Sequence, residues 1–260
     1  MAFFDKLFQK KICDLCGGEI GLLGNRKLEN GNMCKACAAK LSPWFNDRRS
    51  STVEEIAQQL AYREANKEKV RAFSTTRALG QHVRVLLDEN ARTFMITSAR
   101  DLDEANPDVL SFDDMTTCEM DIDERDDEIM DTDAEGKEVS YDPPRYKYYY
   151  DFYITIHVRN PYFDEISFKV NNGVVEVEPP AQPVDEGLPG AFPSDFDPKR
   201  DKEFLHYKKM TEEIYTALLS ICQPDRVVKE TAEPAVTRCR FCGAALPDGA
   251  SFCERCGGRL

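Results

Sequence analysis

Eight of the ten cysteines in this 260-residue chain form four Cys-x-x-Cys units, two near each end. Two thiolates three residues apart can face one ion from a tight turn of backbone, so the pattern is typical of metal ligation. Four thiolates also close the coordination shell, which is the arrangement of structural zinc. We therefore expect two structural Zn²⁺ ions, one held by Cys13, Cys16, Cys34 and Cys37 and the other by Cys239, Cys242, Cys253 and Cys256.

Three other uses of such cysteine pairs have to be weighed against zinc. A thioredoxin-like redox site needs a βαβ context and a single pair. Disulfides are expected in secreted proteins, but the start of the chain, MAFFDKLFQKK, lacks the apolar core of a secretory signal, and no apolar run is long enough to span a bilayer. We therefore expect a cytoplasmic protein with reduced thiols. An iron–sulfur cluster also uses four cysteines, so spacing alone leaves zinc versus iron open.

The seventeen residues between the two N-terminal pairs predict the elements that would position the ligands. Gly17 and Gly18 can adopt backbone angles that turn N–H groups toward the sulfurs. Asn30-Gly31 predicts a two-residue hairpin turn, and Lys35–Leu41 favours a helix whose N-terminus carries the second pair. A knuckle, a hairpin and a helix start in this order indicate a treble-clef-like finger.

The C-terminal module is shorter, with ten residues between its two pairs and a turn at Pro247-Asp248-Gly249. Two knuckles and little else are similar to a zinc ribbon. Units of about 25 to 35 residues cannot bury enough apolar surface to fold alone, whereas metal ligation contributes on the order of 10 kcal/mol. The cysteines thus replace a hydrophobic core at both ends.

The N-terminal finger resembles a known family. The residues that carry the resemblance are the four cysteines, Gly17-Gly18, Leu22–Lys27, Asn30-Gly31 and Ser42–Phe45. They resemble the bacterial domain of unknown function 4428 family, regarded as a zinc finger without a characterised activity. The resemblance covers about the first fifth of the chain; it implies zinc and a bacterial source and implies no reaction.

The middle of the chain predicts helix, then strands, then helix. A capping box at Ser51–Glu55 and apolar residues at Val53, Ile56, Ala57, Leu60 and Ala61 predict a helix over 52–69 that packs on the next domain. The pattern of residues 73–177 predicts six or seven short strands. Residues 201–222 are predicted to form a helix with one apolar face, made of Phe204, Tyr207, Met210, Ile214, Leu218 and Ile221. This order predicts a small β-barrel or sandwich capped by a helix.

The strand and turn patterns at Val85–Asn90 and Val109–Met115 are similar to those of bacterial pleckstrin-homology-like (PH-like) domains. The predicted fold class is therefore α+β and multidomain. Its predicted segments are the zinc finger with a short amphipathic start (1–49), a helix (50–70), a PH-like β domain (71–178), a Pro-rich linker (179–200), an amphipathic helix that packs on the β domain (201–222), a second linker (223–237) and the zinc ribbon (238–260). Cys118 and Cys222 are predicted to be core thiols without metal.

Two acidic stretches invite a metal assignment. Asp131–Gly136 begins like a calcium loop with Asp142 at the twelfth position, but that position prefers glutamate, Glu138 stands where an apolar residue is needed, and a solvated hairpin loop is favoured. Asp121–Asp127 has the composition of a Mg²⁺ site, and a charged strand edge that blocks sheet pairing is the commoner explanation. A metal-dependent hydrolase using these loops is a minor alternative, and no nucleophile motif or phosphate-binding loop is present.

Charge decides between the two main functional hypotheses. The formal net charge is −13; residues 1–49 carry +4 and residues 238–260 carry +2, so the middle carries −19. A non-enzymatic adaptor that binds proteins is favoured, because an acidic middle repels phosphate. The alternative is nucleic-acid binding by the fingers through Arg26, Lys27, Arg48, Arg49, Arg238, Arg240, Arg255 and Arg259.

The first ten residues suggest a further contact. Phe3, Phe4, Leu7 and Phe8 share one side of a short helical pattern that has lysines nearby. Such a segment can rest on an anionic membrane, although docking onto the finger or the sheet domain is the favoured interpretation.

Overall fold

The computed structural model describes residues 11–179 and 196–222, together with Phe252 and Arg255. The N-terminal amphipathic segment with Phe3, Phe4, Leu7 and Phe8, most of the Pro-rich linker, and the C-terminal cysteines lie outside the described residues. The structure therefore leaves the predictions for those segments, and the division of the chain into domains, as predictions.

The N-terminal finger is built from very short elements. Two small antiparallel pairs are followed by one helical turn: β1 (Lys11–Ile12) with β2 (Glu19–Ile20), β3 (Arg26–Lys27) with β4 (Asn32–Met33), and α1 (Lys35–Ala38). The finger has a small apolar core, in which Leu28 and Met33 are fully buried and Ile56 of the next helix joins them. So small a core needs metal ligation to hold it.

The predicted helix over 52–69 is present as α2 (Val53–Ala72), and its capping box is formed by Thr52 and Glu55. Its buried face agrees with the predicted one only in part: Ile56 is buried, and Val53 and Leu60 are partly buried against the finger core. The buried positions are Ile56, Gln59, Arg63, Asn66 and Val70, whereas Ala57 and Ala61 are exposed. The spacing of three and four residues is helical, but the middle of the face is polar. The apolar pattern therefore identified the part of the face that packs on the finger and missed the polar middle of that face.

Arg63 fills the junction between α2, the finger and the sheet domain. Its Nη1 lies 2.7 Å from Asp108 Oδ1, and both side chains are buried. Arg63 Nε donates to the Lys40 carbonyl (3.2 Å), Nη2 donates to the Asn106 carbonyl, and Ser42 Oγ donates to Asp108 Oδ2 (2.8 Å). A buried ion pair is tolerated when its remaining donors and acceptors are satisfied, as they are here.

Asn66 reinforces that junction one turn later. Its amide nitrogen donates to Asn106 Oδ1 and to the Pro107 carbonyl, both at 2.8 Å, and its Oδ1 accepts the Val109 N–H at 3.0 Å. Asn106 Nδ2 in turn donates to the Arg63 carbonyl at 2.8 Å. The finger and the sheet domain are therefore joined by a connected polar network and not by an apolar seam alone.

The sheet domain contains two antiparallel sheets. The first runs in the order β5-β6-β7-β8, with β5 at Arg77–Leu79, β6 at Arg84–Asp88, β7 at Thr93–Thr97 and β8 at Leu110–Ser111; the short helix α3 (Leu102–Ala105) lies between the last two. In the second, β10 (Glu138–Val158) pairs along one edge with β9 (Met115–Thr132) and along the other with β11 (Glu165–Lys169) and β12 (Val175–Val177).

The two sheets and the last helix share one core. Phe94 of the first sheet, Phe152 of the second and Ile214 of α4 (Lys202–Cys222) belong to the same buried cluster. The Phe204 ring packs edge-on against Tyr150 at 4.6 Å between centroids. The helix predicted for 201–222 is thus present and caps the sheets. The expectation of a barrel is wrong, because no strand pairing joins the two sheets in the described residues.

The strands of the β9–β10 hairpin, of 18 and 21 residues, are much longer than the short strands predicted for residues 73–177. The register shifts between Ser140 and Arg145, which leaves Tyr141–Pro144 without partners in the ladder, and pairing resumes beyond them to Thr132 and Glu138. No residue from 126 to 147 is buried. We call residues 126–147 the arm. The sequence did not predict β10 as one continuous strand because the looped-out residues include Pro143 and Pro144, and a proline normally argues against a strand interior.

Part of the predicted Pro-rich linker packs on the sheet domain. Within the predicted linker, the described residues 196–200 include a 3₁₀ turn at Pro198–Arg200, and Phe196 packs against the domain core beside Tyr148.

None of the helices in the described part of the chain is long and apolar enough to cross a membrane.

Candidate metal centre

The four N-terminal cysteines converge on one point. All four sulfurs lie within 4.8 Å of one another, with Cys13 Sγ 3.9 Å from Cys37 Sγ and Cys16 Sγ 3.8 Å from Cys34 Sγ. A tetrahedral zinc with Zn–S bonds of about 2.3 Å requires sulfurs about 3.8 Å apart. The donor set therefore fits a tetrahedral thiolate-bound zinc ion and leaves no ligand position to be filled from outside.

The local backbone supplies partners for the sulfurs. Cys34 is the N-cap of α1, and its Sγ accepts the Cys37 N–H at 3.4 Å, as expected for a ligand pair at a helix start. Cys13 Sγ accepts the Cys34 N–H at 3.3 Å. N–H donors of this kind spread the negative charge that four thiolates bring together.

These contacts split the pKa values of the two buried thiols. Burial raises the pKa of Cys13, but hydrogen bonds from the backbone N–H groups of Cys34, Cys16 and Leu15 outweigh it and lower the value to about 6. Burial raises the pKa of Cys37 far above its ordinary value, and the neighbouring thiols raise it further. A cation is needed before all four thiols ionise together, because each thiolate opposes the ionisation of its neighbours.

Asp14, between the first two ligands, is a positioning residue that the sequence analysis missed. Its Oδ2 accepts the Asn32 N–H at 2.6 Å, and its own N–H donates to the Asn32 carbonyl at 2.9 Å. Asn32 lies two residues before Cys34, so this pair of bonds fixes the distance between the two knuckles. The signal was an Asp inside a Cys-x-x-Cys unit, whose side chain can bond a nearby backbone.

The glycine predictions are correct only in part. Gly17 has φ = +69°, but its N–H donates to the Cys13 carbonyl and not to a sulfur. Asn30-Gly31 does not form a two-residue turn, because four residues, 28–31, separate the paired Lys27 and Asn32. Buried Leu28 takes one of those positions. Asn30 Oδ1 accepts the Val53 N–H at 2.8 Å and so caps α2.

Gly31 is required for close approach. A Cβ built at Gly31 would lie 2.5 Å from Val53 Cγ2 and 2.8 Å from Asp14 Oδ2. Any side chain there would push apart the finger hairpin, the start of α2 and the Asp14 contact.

The basic residues of the finger are brought together. Arg48 Nη1 donates to the Lys27 carbonyl at 2.6 Å, and Arg26 Nη1 donates to the Leu23 carbonyl at 3.3 Å. The pKa of Arg48 is lowered, first by partial burial and then by the positive charges of Arg49 and Arg26. Arg238, Arg240 and Arg259 lie outside the described residues.

The acidic stretches do not form a metal cluster within the described part of the chain. Asp133 Oδ1 accepts the N–H groups of Glu135 and Lys137, so it stabilises the hairpin turn, as the favoured interpretation predicts. The run Asp121–Asp127 lies on β9, paired throughout with β10.

The two remaining cysteines lie at the predicted kind of place. Cys118 is buried in the sheet-domain core, and Cys222 is partly buried against it. Burial, followed by the nearby Cys222 and Glu119, raises the pKa of Cys118 to about 12.

The ligands Cys239, Cys242, Cys253 and Cys256 lie outside the described residues, where only sequence comparison bears on them. No curated protein and no solved structure matches the chain. The family model described as Domain of unknown function (DUF4428) matches residues 11–59, and that of a zinc-ribbon domain matches residues 238–260. The chain therefore carries a DUF4428 module at one end and a zinc ribbon at the other.

Proposed function

We propose that this protein is a non-enzymatic adaptor in which two structural zinc modules flank a sheet domain that binds a protein partner. The closed four-sulfur geometry supports the non-enzymatic part, because catalytic zinc keeps a position open for water or substrate. The observation that carries the binding part is the arm. It is a long hairpin, and none of its residues 126–147 is buried.

Each zinc module is proposed to hold one ion, which gives two per chain, and the finger is proposed to be treble-clef-like. The order of knuckle, hairpin and helix start supports the treble-clef-like fold of the finger. We also propose that the sheet domain is PH-like, which is supported by the order of antiparallel strands followed by one capping helix. Metal analysis of purified full-length protein should return two zinc equivalents; one equivalent or iron would contradict the count or the metal.

The arm has the chemistry of a surface for a basic protein segment. It carries eight Asp or Glu against three Lys or Arg. Tyrosine rings lie among and beside these charges, and they already accept cations within the chain. The Arg145 guanidinium lies 5.0 Å from the ring of Tyr141, and Lys147 Nζ lies 5.6 Å from the ring of Tyr149, two residues beyond the arm. Carboxylates and tyrosine faces together attract Lys and Arg side chains.

A partner also explains why the arm is so long. A two-stranded ribbon without a packed face is marginally stable in water. Its charges and the looped-out Tyr141–Pro144 oppose pairing with another sheet edge. The arm is therefore suited to contact through side chains and not to strand addition.

The test is a comparison of captured proteins. Full-length zinc-loaded protein is used as bait beside the arm variant Asp126→Asn/Asp127→Asn/Glu128→Gln. A control variant, Asp103→Asn/Glu104→Gln/Glu165→Gln, changes the net charge equally at exposed positions off the arm. A partner of the arm is retained by wild type and control, lost by the arm variant, and released by raised salt.

The purified partner must then bind the wild type and the control variant with similar affinity and the arm variant more weakly. If the arm and control variants lose the partner equally, net charge alone explains capture and the proposal fails. If neither variant loses it, the partner does not use the arm.

The clustering of Arg26, Arg48 and Arg49 favours a second candidate function, nucleic-acid binding by the finger. Electrophoretic shift with duplex and single-stranded probes tests it. Binding that survives physiological salt and is lost in Lys27→Gln/Arg49→Gln would place this function above the adaptor.

A further inference from the structure

The finger carries an unusual apolar protrusion. The Gly24 N–H donates to the Gly21 carbonyl at 2.9 Å and closes a turn whose two central residues are Leu22 and Leu23. These side chains are 91% and 93% exposed, whereas the next most exposed large apolar side chain of residues 11–179, Ile12, is 49% exposed. We call residues 21–24 the leucine turn.

Neither the fold nor the metal centre accounts for these two leucines. The central positions of tight turns favour Gly, Pro, Asn and Asp, and a leucine there exposes apolar surface to water without packing on anything. The leucine turn is convex and only two side chains wide. A site for a small molecule is a concave pocket, and a protein partner would need a pocket shaped to receive the two leucines. The hydrocarbon boundary of a bilayer accepts a convex apolar tip without a matching shape.

Positive charge lies directly beneath the leucine turn. Arg26 Nη1 donates to the Leu23 carbonyl (3.3 Å) and the Asn25 carbonyl (3.4 Å), so its guanidinium lies against the base of the turn. Arg48 reaches the Lys27 carbonyl at 2.6 Å, and its lowered pKa reflects partial burial and then the nearby charges of Arg49 and Arg26. We call Arg26, Lys27, Arg48 and Arg49 the basic collar.

Like charges held this closely repel one another, and the collar gains stability when an anion binds it. An apolar tip beside a cluster of cations is the arrangement that combines hydrocarbon insertion with attraction to anionic headgroups. A further lysine lies at the same end of the finger, since Lys11 of β1 is opposite Ile20 of β2, immediately before the leucine turn.

We propose that the leucine turn inserts into the interfacial layer of an anionic lipid bilayer while the basic collar contacts headgroup phosphates. This contact uses the finger and is independent of the arm and of its protein partner. Membrane attachment would then be weak and reversible, because the inserted area is small.

The experiment is vesicle sedimentation of the full-length, zinc-loaded chain. Vesicles of equal parts phosphatidylglycerol and phosphatidylcholine should pellet the protein, and vesicles of phosphatidylcholine alone should do so far less. Binding should weaken as ionic strength rises, because salt screens the collar. Equal binding to both compositions, or none to either, overturns the proposal.

Variants separate the leucine turn from other apolar surface. Leu22→Ser/Leu23→Ser should lower the partition coefficient on the order of tenfold or more, and Lys27→Gln/Arg49→Gln on the order of tenfold. The control Val174→Ser/Leu205→Ser, at exposed apolar positions of the sheet domain, should bind as wild type. Zinc content and the emission of Trp44, the only tryptophan, verify folding in each protein.

Insertion is read out directly with Leu22→Trp in a Trp44→Phe background. Its emission should shift to the blue on anionic vesicles and be quenched by brominated acyl chains. Unchanged emission overturns insertion. If the Leu22→Ser/Leu23→Ser variant binds like wild type while Phe3→Asp/Phe4→Asp does not, the N-terminal segment is the membrane contact. If duplex DNA binds the collar and the vesicles do not, its ligand is nucleic acid and the proposal fails.

Discussion

Replacing Asp108 by asparagine is expected to destabilise the junction between the finger and the sheet domain more than any other isosteric change in it. The substitution keeps the shape of the side chain and removes the charge that faces Arg63 Nη1 at 2.7 Å. The side chains of Arg63 and Asp108 are 6% and 1% exposed, so water cannot take the place of the lost partner. Breaking one member of a buried ion pair costs about 3–5 kcal/mol.

The assay is thermal and urea unfolding of the full-length chain at saturating zinc. For a protein of this size that loss lowers the melting temperature by roughly 6–20 °C. The double variant Arg63→Met/Asp108→Leu should recover part of the loss, because an apolar pair leaves no buried charge without a partner. The exposed pair of Lys67 and Glu64, 2.6 Å apart, supplies the control, and Glu64→Gln should leave the midpoint unchanged.

Two results would refute this reasoning. A loss below about 1 kcal/mol for Asp108→Asn would mean that the pair is solvated in solution. A double variant Arg63→Met/Asp108→Leu that is no more stable than Asp108→Asn would mean that removing the unpaired charge of Arg63 brings no relief.

Three further outcomes are expected. Asp14→Ala should weaken zinc binding about 10- to 100-fold by competition with a chromophoric chelator, because it frees one knuckle from Asn32; unchanged affinity would remove Asp14 as a positioning residue. Gly31→Ala should destabilise the folded protein by about 1–3 kcal/mol, whereas Gly21→Ala, with open space around its Cβ, should not; equal midpoints would contradict the close approach. Cys118, with its pKa raised to about 12, stays protonated at pH 8, so iodoacetamide should alkylate it far more slowly in the folded than in the unfolded chain; equal rates by mass spectrometry would show that the core is open there.

The metal centre was readable from the sequence because its ligands are a rare residue type at a fixed spacing. Cys34 and Cys37 at a helix start, the capping box of Thr52 and Glu55, and the apolar face of α4 follow local rules, and the structure has all of them. Such rules use only residues that are close together in the sequence, and these three features are determined by such residues.

The missed features depend on residues far apart in sequence. Arg63 is polar, so apolar periodicity could not place it on a buried face, and its partner Asp108 lies 45 residues away. Asn30 was assigned to a turn because its real role, capping α2 at Val53, lies outside the hairpin. The arm was missed because Pro143 and Pro144 interrupt a strand that resumes beyond them.

The long helix α2 is fastened at two places, by Asn30 of the finger at its first turn and by Asn106 of the sheet domain near its middle. Twenty residues of helix span about 30 Å. Because Ser42 of the finger also bonds Asp108 directly, the helix fixes the orientation of the finger against the sheets and does not space the two apart. Ligands docked at the two ends would be presented to each other at high effective concentration, without a flexible tether to search.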